Sequence, residues 1–353
     1  MFFYFSSSAS SMLARRLLLL FAGSRFPATR LRESIFFDGE RKGQSRMEIG
    51  SELYRKTLLT ITGNSLVEKL TLKYGKKLAG KFIAGQELPE AIDAIRELNG
   101  KGIMATLDHL GEGIKSMREA EGYRKEYVRL VQAIAAAGVV SNISLKPTQM
   151  GLALDPQACY ENIRLVVKEA QQCGNFVRID MEDTPFTQAT IDIVKRLHAE
   201  GLTNVGTVIQ AYLHRTRQDI EDMIEAGIRL RLVKGAYKEP AEVAIQKKSA
   251  VIDNFKDMIR THLDRGIYTA VASHDDTIID WTKKYVEENG ISKDAFEFQM
   301  LYGLRMSYQA ELARQGYRVR CYVPYGAMWY PYYTRRLAEK PANLMMVLKN
   351  MFN

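Results

Sequence analysis

Past residue 100 the chain alternates between two hydrophobic rhythms. Short apolar, β-branched runs recur as "GIMATLDHLG", "SNISLKPTQMG", "FVRIDMED", "NVGTVIQAYL", "IRLRLVKGAY", "YTAVASHDD", "FEFQMLYG" and "VRCYVPYG". Between them lie longer segments such as "REAEGYRKEYVRLVQAIAAAG" and "SAVIDNFKDMIRTHLDRG". These carry apolar residues at i, i+3, i+4 and i+7 and stop near a glycine, as helices do. Eight strand–helix units in roughly 250 residues predict a (β/α)8 barrel of the TIM type, with extra helices before the first strand. The competing doubly wound sheet announces itself by a glycine-rich turn after its first strand, and neither GxGxxG nor a P-loop occurs.

Each predicted strand ends on a polar group. In chain order these are Asp108, Lys146, Asp180 with Glu182 and Asp183, Gln210, Lys234, His274 with Asp275, Gln299, and Tyr322 with Tyr325. The C-terminal strand ends of such a barrel ring one mouth, where its chemistry takes place. Neighbouring strands lie about 4.8 Å apart, which makes a Lys146–Asp180 ion pair the expected arrangement. Tyr332, Arg335, Arg336 and Glu339 fall at i, i+3, i+4 and i+7, one face of a helix after the last strand. Arginine forks bind carboxylates bidentately, so the pair reads as a clamp for a small carboxylate, with Lys146 opposite and Glu339 holding the fork. An exposed helix face with an Arg335–Glu339 salt bridge is the plainer alternative. Arg231 and Lys234 differ by an odd number and face opposite sides of a continuous strand, unless the Gly235 turn brings both to the mouth. A lysine there also fits a Schiff-base nucleophile, so a lysine-dependent lyase acting on a small carboxylate is the rival reading.

Charge narrows the partners. Formal net charge is +9 over 353 residues, but residues 1–46 hold eight basic and three acidic residues, so +5 sits there. The basicity belongs mainly to that segment, and a nucleic-acid partner is not expected. Residues 1–46 are arginine-, serine- and leucine-rich. They read as a targeting-like extension, or as a start assigned too early, with Met47 opening a single domain to residue 353. Three cysteines without a CxxC pair and five histidines without metal-ligand spacing predict neither disulfides nor a metal site. No apolar run reaches the roughly 18 residues a membrane span needs. The methionine-rich "LMMVLKNMFN" at the end reads as an amphipathic helix that caps the barrel or touches lipid.

Taken together, "SLKPTQMG", "RIDMED", "GTVIQAYL", "RLVKGAYKE", "ASHDD", "FEFQMLYG" and "YVPYG…WYPYYTRRLAEKPAN" resemble the proline dehydrogenase family, in particular its short monofunctional bacterial members. The resemblance covers roughly residues 50–350 and implies a distorted barrel holding FAD without a Rossmann module. It implies oxidation of L-proline to Δ1-pyrroline-5-carboxylate, electrons passed to a quinone at the membrane surface, and a functional link to pyrroline-5-carboxylate dehydrogenase. By motif match, Lys146, Arg335 and Arg336 would bind the proline carboxylate and Asp180 would pair with those cations. Tyr322 and Tyr332 would pack on the ring, with Leu232 on the hydride-transfer side. Asp180 and Arg231 would be the catalytic residues, Arg231 lying near flavin N5. Gln210 would meet the pyrimidine edge, and Met181, Lys234, Gly235, Ala236, Ser273 and His274 would line the FAD. Related hydroxyproline oxidases are expected to carry a smaller residue at Tyr332. Two positions depart from the pattern: Pro147 replaces a usual leucine and Ser273 a commoner threonine. The location implied is cytoplasmic with peripheral membrane contact, or mitochondrial if residues 1–46 are a transit segment.

Overall fold

In the computed structural model, residues 80–111 and 113–339 are described, together with scattered positions between 54 and 72. The predicted 1–46 extension and the "LMMVLKNMFN" helix lie outside the described residues. The chain packs as two compact units. Phe82–Met328 form one compact unit, and the described residues before Phe82 and after Met328 belong to a second.

The larger unit opens with helix α1 (Leu88–Asn99), whose first turn closes a capping box between Glu87 and Glu90. Eight strands follow: β1 (Met104–His109), β2 (Ser141–Leu145), β3 (Val177–Ile179), β4 (Val205–Gln210), β5 (Leu230–Val233), β6 (Thr269–Ala272), β7 (Phe296–Leu301) and β8 (Val319–Tyr325). All pair in parallel, in chain order, and β8 closes on β1 from Met104↔Arg320 to His109↔Tyr325. The helices between them are α2 (Met117–Ala137), α3 (Pro156–Gln172), α4 (Thr184–Ala199), α5 (Thr216–Glu225), α6 (Lys248–Asp264), α7 (Asp276–Glu288) and α8 (Met306–Arg314). The eight predicted strand runs each contain one observed strand.

Local chemistry sets the boundaries. Ser116 caps α2 by accepting from Glu119 N–H, and Asp155 caps α3 at Ala158 N–H (3.0 Å) ahead of Pro156. Strands covered on both faces read as near-continuous apolar runs, and all six residues of β4 are buried. Cys159 and Cys321 are fully buried, and burial pushes both thiols up to about 12, the behaviour of inert core residues.

Two buried polar features run through this core. Arg320 reaches Glu297 at 2.8 and 3.0 Å inside the barrel. His262, on α6, is fully buried with Nδ1 2.6 Å from Thr269 Oγ1. Burial, then the nearby Arg178 charge, push this imidazole down to about 4 from its ordinary 6.5. The unfolded chain therefore binds a proton that the fold refuses, and stability falls as pH drops from 6.5 toward about 4. Urea denaturation across that window should show the loss, and His262→Gln should flatten it; equal slopes would exonerate His262.

The second unit contains α9 (Tyr330–Glu339). Its aromatic cluster is structural glue. Trp329 meets Tyr333 edge-on at 5.6 Å, Tyr330 OH donates to Thr62 O (2.8 Å), and Leu337 O accepts from Tyr54 OH (2.9 Å). Arg336 lies over the Tyr332 ring at 5.2 Å, as residues four apart on a helix should. The side chain of Glu339 lies outside the described residues.

Candidate active site

Parallel strands point every second side chain into the barrel, and inward residues of alternate strands meet in shared layers. That geometry brings Asp180 (just after β3), Arg231 (β5) and Gln299 (β7) together near the C-terminal strand ends. Arg231 Nη1 contacts Asp180 Oδ1 at 2.5 Å and Ser144 Oγ at 3.2 Å, and Nε donates to Gln299 Oε1 at 2.6 Å. Asp180 also accepts from Ser144 Oγ (2.7 Å) and from Tyr322 OH (3.0 Å). The Arg231 guanidinium stands 5.4 Å over the Tyr322 ring. Its Nη2, on a residue 5% exposed, has no hydrogen-bond partner among the described residues.

Lys146 does not pair with Asp180 as expected. Its Nζ lies 3.2 Å from Asp108 Oδ2, while Asp180 takes Arg231. Spacing between adjacent strands does not decide this pair, because the interior layer joins β3 to β5. Asp108 is also held by Tyr127 OH (3.1 Å). Burial opposes the Lys146 charge, but Asp108, Asp180 and Glu182 outweigh it and raise the ammonium above its ordinary range. Burial, and next Asp108, push the Tyr127 and Tyr322 phenols well above theirs, so both remain neutral donors. A Schiff-base lysine needs a neutral, desolvated amine. Lys146 is held charged and Lys234 is exposed, so neither fits that role.

The remaining expected residues are dispersed around this centre. Gln210 Nε2 donates to Glu182 O (3.0 Å), and Met181 is buried next to Asp180 in sequence. Gly235 takes φ +109, and a Cβ there would stand 2.1 Å from the Tyr212 ring, so only glycine fits this turn. Lys234 and Ala236 flank it, exposed. Ser273 Oγ accepts from Asp275 N–H (3.0 Å). His274 Nε2 accepts from Leu301 N–H (3.0 Å), which fixes the ring with its proton on Nδ1. Leu232 stands next to Arg231 on β5. It is fully buried, and alternation along β5 puts it on the face opposite Arg231, toward the helices. Arg335, Arg336 and Tyr332 lie on α9 in the second unit.

Sequence reasoning missed Ser144 and Tyr127. Ser144 shares parity with Lys146, which was the available signal; Tyr127 sits in mid-helix and gave none. Gln299 stood out only as a strand end. It connects the mouth to the far pole: its amide nitrogen donates to Glu297, which binds Arg320, while its oxygen holds Arg231.

A family model described as proline dehydrogenase matches residues 91–348. The chain belongs to the proline dehydrogenase family. "Proline dehydrogenase 2" of Bacillus subtilis (strain 168) is 43% identical over 298 residues, covering 84% of this chain and 98% of that protein. "Proline dehydrogenase" of Deinococcus radiodurans is 40% identical over 304 residues, covering 85% and 98%. The crystal structure of proline utilization A from Bdellovibrio bacteriovorus, inactivated by N-propargylglycine, superposes with a TM-score of 0.72 at 23% identity. The match covers 94% of this chain and 41% of that one, and it shows a shared fold. The activity that goes with the family is the oxidation of L-proline.

Removing Asp180 leaves Arg231 as a buried cation without its carboxylate. Asp180→Ala should cost about 3–5 kcal/mol in chemical denaturation, with Asp180→Asn milder. Equal stability of wild type and Asp180→Ala would refute the central role of this pair.

Proposed function

We propose that L-proline is oxidised to Δ1-pyrroline-5-carboxylate at the barrel mouth with FAD as the cofactor, and that a quinone takes the electrons. One observation carries the cofactor reading. The Arg231 guanidinium is pinned on two of its nitrogens and leaves Nη2 buried without an acceptor among the described residues. Such a donor is costly unless something accepts from it. The positive-φ turn at Gly235, packed on Tyr212, supports close approach of a cofactor to the backbone. When bound, FAD supplies the hydride acceptor for the ring carbon beside the proline nitrogen.

The chain's own residues do the rest. Lys146, kept charged by Asp108, provides a fixed cation for the substrate carboxylate. Arg335 and Arg336 join it on the strength of the motif. Tyr322 presents its ring to proline while its hydroxyl holds Asp180, and Tyr332 forms the second wall on the same motif. Arg231 offers positive charge where reduction builds negative charge. Gln210, Met181, Lys234, Gly235, Ala236, Ser273 and His274 surround the cofactor in this reading. Three hydrogen bonds already fill the Asp180 carboxylate. Its work is to hold Arg231 and Tyr322 in place, and the amine proton leaves to water. Among the described residues no helix is long and apolar enough to cross a membrane. On the family resemblance, quinone reduction takes place by peripheral contact of a cytoplasmic enzyme with the bilayer surface, and the product feeds a pyrroline-5-carboxylate dehydrogenase.

The visible spectrum of purified protein tests this directly. A flavin spectrum that bleaches with anaerobic L-proline is expected; a colourless protein that stays inactive after FAD is added would overturn the reading. Arg335→Ala and Lys146→Met should each cost about 2–5 kcal/mol in kcat/KM, because each removes a charge from a desolvated carboxylate. Tyr332 should favour proline over hydroxyproline, since a hydroxyl against an apolar wall loses its water partners. Equal kcat/KM for both amino acids would remove Tyr332 from the substrate wall.

A further inference from the structure

The N-terminal strand ends open onto a cavity of about 500 Å³, lined by Arg178, Arg229, Arg318, Arg320, Phe176 and Tyr268 among others. Strand order and register place it at the pole opposite the mouth. Four arginines meet there, and two are matched: Arg320 by Glu297 and Arg318 by Asp294 at 2.8 Å each. Arg178 and Arg229 have no carboxylate within 4.0 Å among the described residues.

Arg178 is the more telling. It is 3% exposed, its Nη1 donates to the carbonyls of Thr207 (2.7 Å) and Arg229 (2.6 Å), and its Nε has no partner among the described residues. Burial, and then the Arg231 charge, push its guanidinium down from its ordinary value. An unmatched buried cation is destabilising. Room for it is nonetheless kept. A Cβ on Gly206 would lie 2.8 Å from Arg178 Nη1 and 2.2 Å from Arg229 O. Phe176 lies under both cations, at 5.0 Å from Arg178 and 5.8 Å from Arg229, and Arg229 also faces Tyr268 at 5.8 Å.

We propose that this cavity is a binding site for a small phosphate-bearing anion, held by Arg178 and Arg229 with Phe176 and Tyr268 alongside its organic part. Planar guanidinium forks suit phosphate oxygens, and the volume lies in the range of small-molecule pockets, larger than phosphate alone needs. The site is separate from the mouth.

The test is calorimetric titration of the flavin-loaded full chain with inorganic phosphate and with phenyl phosphate, at constant ionic strength set by chloride. Both should bind the wild type. Arg229→Gln should weaken both by roughly tenfold or more, because one charge-assisted fork is lost. Lys146→Met, altered only at the mouth, should bind as the wild type does. Arg229 is exposed, so the variant should fold; its melting curve checks this, and Arg229→Lys, which keeps charge without the fork, is the substitute. Tighter binding of phenyl phosphate identifies an ester as the ligand class, and equal binding identifies the free anion; both uphold the site. No binding to wild type at tens of millimolar overturns the proposal. So does binding that survives Arg229→Gln but disappears in Lys146→Met. Flavin bleaching by proline is read separately, so failure here leaves the proposed function intact.

Discussion

A charge buried inside a closed barrel is costly unless a partner stands within a few ångströms. The Arg231–Asp180 pair is the point where this constraint is met, and its neighbours are arranged around it. Ser144 bridges both partners, Tyr322 takes the second carboxylate oxygen, and Gln299 fixes the guanidinium from behind. With every other direction satisfied, a single donor is left over. Reactivity at this mouth is what remains after the buried charges have been balanced.

The same bookkeeping separates the two lysines at the mouth. Lys146 is surrounded by three acids and stays an ammonium, suited to holding an anion and unsuited to forming an imine. Lys234 stands exposed, immediately before the Gly235 turn. Composition cannot tell such lysines apart; neighbours fixed by strand order can.

Much of the fold was legible because parallel barrel strands and their helices differ so strongly in period. All eight strands fell inside the runs picked out by β-branched residues, and the polar strand ends marked the mouth. Pair identities were less legible. The Lys146–Asp180 expectation used neighbour spacing alone, and the interior layer that joins every second strand sent Asp180 to Arg231 instead. Leu232 was carried over from a motif, where alternation would have turned it away from Arg231. Tyr127 was invisible because a tyrosine on an amphipathic helix looks like ordinary core.

The string of hydrogen bonds from Arg320 through Glu297 and Gln299 to Arg231 spans the barrel from one pole to the other. Distance from the reacting atoms is therefore a poor guide to which substitutions this enzyme tolerates. A change at the quiet end, far from any substrate, alters the acceptor that holds Arg231 and is felt where electrons move. Sequence drift at Glu297, Gln299 and Arg320 should be coupled, each position free to vary only in step with the other two.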